Sequence, residues 1–238
     1  MSLNVKSVVI LAGGKGTRMR EYPQTVPKPM VRIGGIPVLS HITNYIDQFG
    51  DFEYIICSGY KEDVLFDYFE NNPNSKIKII STGMETNTGG RLKLIENHLK
   101  SENFIMTYGD GLADVNINNL IQFHNDSKKV ATITVNRPEF RFGVVNFDEN
   151  NEVDSFIEKP VLNQFVNIGY MVLTKDVFSY INEDEPFENK PLVNLAKDSQ
   201  LAAFKHSGFF KPMDTYREYL ELNDLWESEN APWKPKDL

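Results

Sequence analysis

An α/β fold on a mostly parallel sheet is the class this sequence predicts, and three observations support it. Short runs rich in Val, Ile, Thr and aromatic residues recur along the first half of the chain. The segments between them repeat apolar residues at three-to-four spacing, the period of a helix with one buried face. A glycine-rich loop follows the first run directly. Strands alternating with helices make a parallel sheet covered on both faces, with its binding crevice at the carboxyl ends of the strands.

Taken in order, residues 7–12, 54–58, 77–81, 104–108 and 130–135 read as buried strands. Val38, Leu39, Ile42, Tyr45, Ile46 and Phe49 define the first helix, with Pro37 suited to its first turn and Gly50 to its stop. Val64, Leu65, Tyr68 and Phe69 mark a second helix over residues 63–71. Leu92, Ile95 and Leu99 mark a third, and Leu120, Ile121 and Phe123 a fourth. Beyond Pro138 the texture changes to strand-like pieces at 142–147, 152–157 and 167–173, joined by short polar turns such as Asp148-Glu149-Asn150-Asn151. They predict a smaller antiparallel extension of the same sheet. A further strand-like run covers 202–210, and from Asp214 a helix carries Tyr216, Tyr219, Leu220, Leu225 and Trp226 mostly on one side, ending before Pro232. With no internal repeat and no dividing linker, one domain is expected over 1–238.

The 238 residues, 41% of them hydrophobic, suffice for a sizeable core, and the formal net charge is −8. That acidic balance argues against a nucleic-acid partner or an anionic membrane surface, since both need excess positive charge over a broad face. No apolar run approaches the roughly 20 residues that span a bilayer, and residues 1–6 lack the apolar core of a signal peptide. A cytoplasmic location is expected. Cys57, the single cysteine, excludes an internal disulfide, and within Tyr54-Ile55-Ile56-Cys57 it reads as a core residue. His41, His98, His124 and His206 show no metal spacing, and no Ser-His-Asp set suggests acyl chemistry.

On this acidic chain one stretch is cationic. Gly13, Gly14 and Gly16 follow the first strand, where glycine lets several backbone N–H groups turn toward one point. Between Gly13 and Arg32 stand Lys15, Arg18, Arg20, Lys28 and Arg32 against the single acid Glu21. Such an array binds phosphate. A Walker loop is absent, and a dinucleotide fingerprint is broken at Met19. Arg18 can grip a triphosphate bidentately, while Lys28, between two prolines, sits on a stiff backbone. Both can contact phosphate, and both are the expected catalytic residues. Asp110 follows a strand between Gly109 and Gly111, and Asp214 opens a helix. Alone, the first is equally a turn former and the second an N-cap. Glu158-Lys159-Pro160 offers a hydroxyl acceptor beside a cation, with Asn167 and Gly169 a short way on. Thr88-Gly89-Gly90-Arg91 opens a helix, either as a cap or to read a nucleobase edge.

The strings LAGGKGTR and PKPM, followed in order by TYGDGLAD, EKP, NIGY, KPMDT and LWESENAPW, resemble the sugar-1-phosphate nucleotidyltransferases, and within them the glucose-1-phosphate cytidylyltransferase branch. The resemblance runs over nearly the whole chain. It implies a Rossmann-like nucleotidyltransferase fold, with a nucleotide-binding half at about 5–137 and an acceptor-binding and C-terminal part at about 138–238. It implies attack by a sugar phosphate oxygen on the α-phosphate of CTP, with release of pyrophosphate. Leu11, Ala12, Gly13, Gly14, Gly16, Thr17, Arg18, Gly89, Gly90 and Asp110 then serve the nucleotide, and Glu158, Lys159, Asn167 and Gly169 the acceptor. Asp110 and Asp214 are the implied ligands of Mg²⁺. The chain departs from the branch at Ile168, where a second glycine is expected, and in a shorter segment between Gly59 and Gly89 that in the branch reaches a neighbouring subunit. A different phosphorylated acceptor, even a non-sugar phosphate, is therefore the alternative expectation. A homo-oligomer stays open, and a non-catalytic nucleotide-binding regulator is the lesser alternative.

Overall fold

The computed structural model describes residues 5–16 and 26–235. β1 (Ser7–Leu11) is followed by a 3-10 turn (Lys28–Met30), the short strands β2 (Arg32–Ile33) and β3 (Ile36–Pro37), and α1 (Val38–Asp47). Next come β4 (Glu53–Ser58), α2 (Glu62–Asn71), β5 (Ile77–Ser81), α3 (Thr88–Ile95), β6 (Asn103–Tyr108), β7 (Gly111–Ala113), α4 (Ile117–Ser127) and β8 (Ala131–Asn136). The remainder holds β9 (Val144–Phe147), β10 (Val153–Ile157), β11 (Val166–Thr174), a 3-10 run (Lys175–Tyr180), α5 (Lys190–Lys197), β12 (Leu201–Lys205), β13 (Phe210–Pro212) and α6 (Tyr216–Glu227).

Seven strands form the central sheet in the order β12-β8-β11-β6-β1-β4-β5. Every pairing is parallel except those of β11, which runs against β6 and β8. Strands buried on both faces must divide their side chains between two cores, and β1 does so by alternation. Val8 and Ile10 join α1, α2, α4 and α6 on one face, whereas Val9 and Leu11 join α3, α5 and the 3-10 run on the other. Among the described residues no helix is long and apolar enough to cross a membrane.

From β1 the chain moves outward through β4 to β5, then returns to the other side of β1 as β6. Loops leaving the carboxyl ends of β1 and β6 therefore diverge, and a crevice opens between them.

The predicted antiparallel extension divides in two. Ile168 to Leu173 are all buried, which requires cover on both faces, and β11 accordingly lies inside the sheet. β9 and β10 instead pair only with each other, leaving Phe147, Val153 and Phe156 each more than 60% exposed. The predicted strand over 202–210 also breaks. His206 Nε2 lies 3.0 Å from Asp114 Oδ1 and 3.1 Å from the Phe209 carbonyl, so the chain turns there. It leaves the sheet and pairs Phe210–Pro212 with β7.

Candidate active site

A cleft of about 410 Å³ opens at the carboxyl ends of β1 and β6. Leu11, Ala12, Gly13, Gly14 and Gly16 form one side, and Gly109 and Asp110 continue from β6 beside them. The Gly109 N–H donates to the Leu11 carbonyl at 3.0 Å, so the two loops part only beyond that bond.

Lys28 reaches this point from the 3-10 turn, its backbone stiffened by prolines on both sides. Its stem runs beside Gly16, where a Cβ would come within 3.4 Å of Lys28 Cγ; Gly16 has φ +59°, a region that favours glycine. The ammonium is 2.8 Å from Asp110 Oδ2 and also donates to Asp214 Oδ1. Burial alone would lower the Lys28 pKa, but the adjacent Asp110 and Asp214 carboxylates outweigh it and raise the value. The lysine is held charged.

Asp110 and Asp214 are brought together by the small antiparallel ribbon of β7 and β13, in which Pro212 faces Gly111. The Met213 N–H donates to the Asp110 carbonyl at 2.8 Å, fixing the two backbones side by side. Glu218 then anchors the start of α6 by a capping box, accepting from the Asp214 and Thr215 N–H groups at 2.9 and 2.8 Å. Its other oxygen meets Arg141 Nη2 at 2.5 Å. Among the described residues no cluster of three or more His, Cys, Asp or Glu could hold a metal. Two convergent carboxylates are nonetheless a sufficient protein share for a hard cation such as Mg²⁺, which completes its octahedron with waters and substrate phosphates. The donor set fits that ion.

Behind the glycine loop lies Arg91, 3% exposed although it stands on α3. Its guanidinium donates to the Ser58 carbonyl at 2.8 Å, to Thr82 Oγ1 at 2.6 Å and to the Gly13 carbonyl at 3.1 Å. Burial lowers its pKa. The glycine loop, the end of β4 and the segment after β5 are thereby tied to one buried fork. A Cβ on Gly13 would lie 2.0 Å from Arg91 Nη1, whereas one on Gly14 meets nothing within 4 Å. Gly13→Ala is expected to displace the fork and cost about 2–3 kcal/mol. Thermal melts should then fall by roughly 4–12 °C, with Gly14→Ala melting like the parent. Equal melts for the two variants would refute the clamp.

The structure brings Leu11, Ala12, Gly13, Gly14, Gly16, Lys28, Asp110 and Asp214 to this cleft. Thr17 and Arg18 lie outside the described residues. Gly89 and Gly90 turn away from it: the Gly89 N–H donates to the Glu185 carbonyl at 2.9 Å, and a Cβ on Gly90 would lie 2.2 Å from Asp184 Oδ1. Thr86, Asn87 and Thr88 face the cleft in their place. Glu158, Lys159 and Asn167 are exposed and outside the cleft wall. Gly169, with φ +85°, gives room to the Tyr108 ring, which a Cβ would meet at 2.4 Å. Lys15 pairs with Glu85 and Arg32 donates to the Gly35 carbonyl, so neither cation faces the cleft. Sequence reasoning missed Arg91, Tyr108, Glu188 and Glu218. A charged residue among apolar neighbours on a helix was the one signal, for Arg91.

A glycine loop, a half-buried lysine and a carboxylate pair at the switch point of an α/β sheet are a layout suited to transfer between phosphates, where positioning and charge do most of the work. The chain belongs to the nucleotidyl transferase family, whose pattern matches residues 7–215. It is 40% identical to the glucose-1-phosphate cytidylyltransferases of Salmonella typhi and of Salmonella typhimurium (strain LT2), over 95% of this chain and 98% of each of those. Among solved structures, HddC from Yersinia pseudotuberculosis superposes with a TM-score of 0.74 at 26% identity, covering 93% of this chain and all of that one.

Proposed function

We propose that this nucleotidyltransferase moves CMP from CTP to glucose 1-phosphate. The cluster of Lys28, Asp110 and Asp214 at the glycine loop supports the reading most, in a chain 40% identical to proteins named for that reaction. An acceptor phosphate oxygen forms a bond to the α-phosphorus while the bond to the bridging oxygen breaks, and pyrophosphate leaves with that electron pair. The N–H groups at Gly13, Gly14 and Gly16 cradle the phosphates, and Arg18 holds the leaving pair. Lys28 offsets charge that grows at the α-phosphate as the acceptor closes in. Asp110 and Asp214 hold Mg²⁺, which when bound neutralises phosphate charge and aligns the reacting groups. Glu158, Lys159, Asn167 and Gly169 are the proposed acceptor side.

A second reading keeps the cytidylyl half and changes the acceptor. It is favoured by the exposure of Glu158, Lys159 and Asn167, which do not wall the cleft. One assay separates the two: each nucleoside triphosphate with Mg²⁺ against a panel of phosphorylated sugars and non-sugar phosphates, read by pyrophosphate release and product mass. CTP with glucose 1-phosphate is expected to give CDP-glucose. Silence from that pair beside turnover of another acceptor would select the second reading.

A further inference from the structure

The cleft has a second wall, away from Lys28 and its carboxylates. Thr86 to Thr88, the Tyr108 ring, Pro186 and Glu188 make it. Glu188 belongs to an acidic stretch before α5, in which Glu183 and Glu185 face Lys190, and Asp184 accepts from the Asn87 N–H at 2.8 Å. Glu188 differs from these. Its contacts are two neutral hydroxyls, Tyr108 Oη on one oxygen and, at 2.7 Å, Thr88 Oγ1 on the other. Thr88 Oγ1 itself accepts from the Phe187 N–H at 2.7 Å, so its proton is directed to Glu188. Burial, and then the Glu188 charge, push the Tyr108 phenol far above its usual range, which keeps it a donor as well. Two donors thus orient one carboxylate at the cleft.

An anion in a cleft for a polyphosphate opposes binding unless it meets a donor on the ligand. The phosphates belong to the glycine loop, leaving the nucleoside to reach this wall. Beside Glu188, Tyr108 and Pro186 line the cleft, an aromatic and an apolar side chain that suit the face of a base. A cytosine presents an amino donor at position 4, where uracil and thymine present an oxygen, and carboxylates accept from that amine. We propose that Glu188 is the specificity-determining residue for the nucleotide: its carboxylate accepts from the exocyclic amine of the base, so the cleft takes a 4-aminopyrimidine and rejects a 4-oxopyrimidine. This rests on the nucleotidyl-transfer reading and adds to it the group that selects the base.

The test compares kcat/KM for CTP and UTP, by pyrophosphate release, in the parent and in Glu188→Gln, which keeps the size but adds an amide donor. The CTP preference should fall by about tenfold or more. In the parent, pyrimidin-2-one riboside triphosphate, which lacks the amine, should also be used at least about tenfold less well than CTP, while 2′-deoxy-CTP is used comparably. A CTP preference unchanged in a variant that melts like the parent overturns the proposal. Loss with 2′-deoxy-CTP but not with the pyrimidin-2-one analogue assigns Glu188 to the ribose and overturns it too. If Glu188→Gln fails to fold, the parent's response to the two analogues decides. No pyrophosphate from any triphosphate defeats the transfer reading instead, and calorimetric binding of CTP against UTP then decides this one alone.

Discussion

Lys28→Ala is expected to slow turnover by about 10²–10³-fold while changing CTP binding far less. In the proposed reaction the ammonium serves the point where α-phosphate and acceptor meet, and the charge it would balance is larger in the transition state than in the bound substrate. Its surroundings make it hard to replace. Pro27 and Pro29 stiffen its backbone, its stem lies along Gly16, and both Asp110 and Asp214 take hydrogen bonds from the same Nζ. Lys28→Arg should therefore recover little, because a planar guanidinium that spreads its charge over three nitrogens cannot present a point charge at that position. Single-turnover rates beside calorimetric CTP binding check this. Equal losses in rate and binding would make Lys28 a plain triphosphate anchor.

The second large effect is at the carboxylates. Asp110→Asn and Asp214→Asn should each lower divalent-dependent pyrophosphate release by about 10³-fold or more, since metal stabilisation of the reacting phosphates contributes several kcal/mol. An amide keeps the shape of the carboxylate but not its charge. The ribbon that joins the two sites uses the backbone groups of Met213 and Asp110, so melting temperatures should stay near that of the parent. A Mg²⁺ titration of activity provides the readout. Full activity with unaltered metal dependence in either variant would remove that residue from the metal site.

How much of this was legible in the sequence depends on how local each cause is. β1, β4, β6 and β8 show as runs of buried β-branched and aromatic residues, β5 as a run of half-buried isoleucines, and α1 as a stripe with Pro37 at its start. The glycine loop was legible because strand, glycines and cations are contiguous. The interior position of β11 was not, because a fully buried run does not say between which neighbours it lies. β7 and β13 are three-residue strands that pair, among the described residues, with each other alone, too short for any period to register. Arg91 takes its meaning from the carbonyls of Gly13 and of Ser58 at the end of β4, and from a threonine hydroxyl. Glu188 stands in an acidic stretch that reads as solvated surface until Tyr108 and Thr88 are brought to it.

The β7–β13 ribbon also sets when the protein becomes competent during synthesis. Lys28 and Asp214 meet across 186 residues of chain. A nascent polypeptide released before Pro212 would contain the glycine loop, Lys28 and Asp110, yet lack the strand that delivers the second carboxylate. A chain ending before Pro212 would lack not only Asp214 but also Met213, Leu222 and Trp233 of the core that packs on β1, so the complete site is expected only once almost the entire described chain has been made.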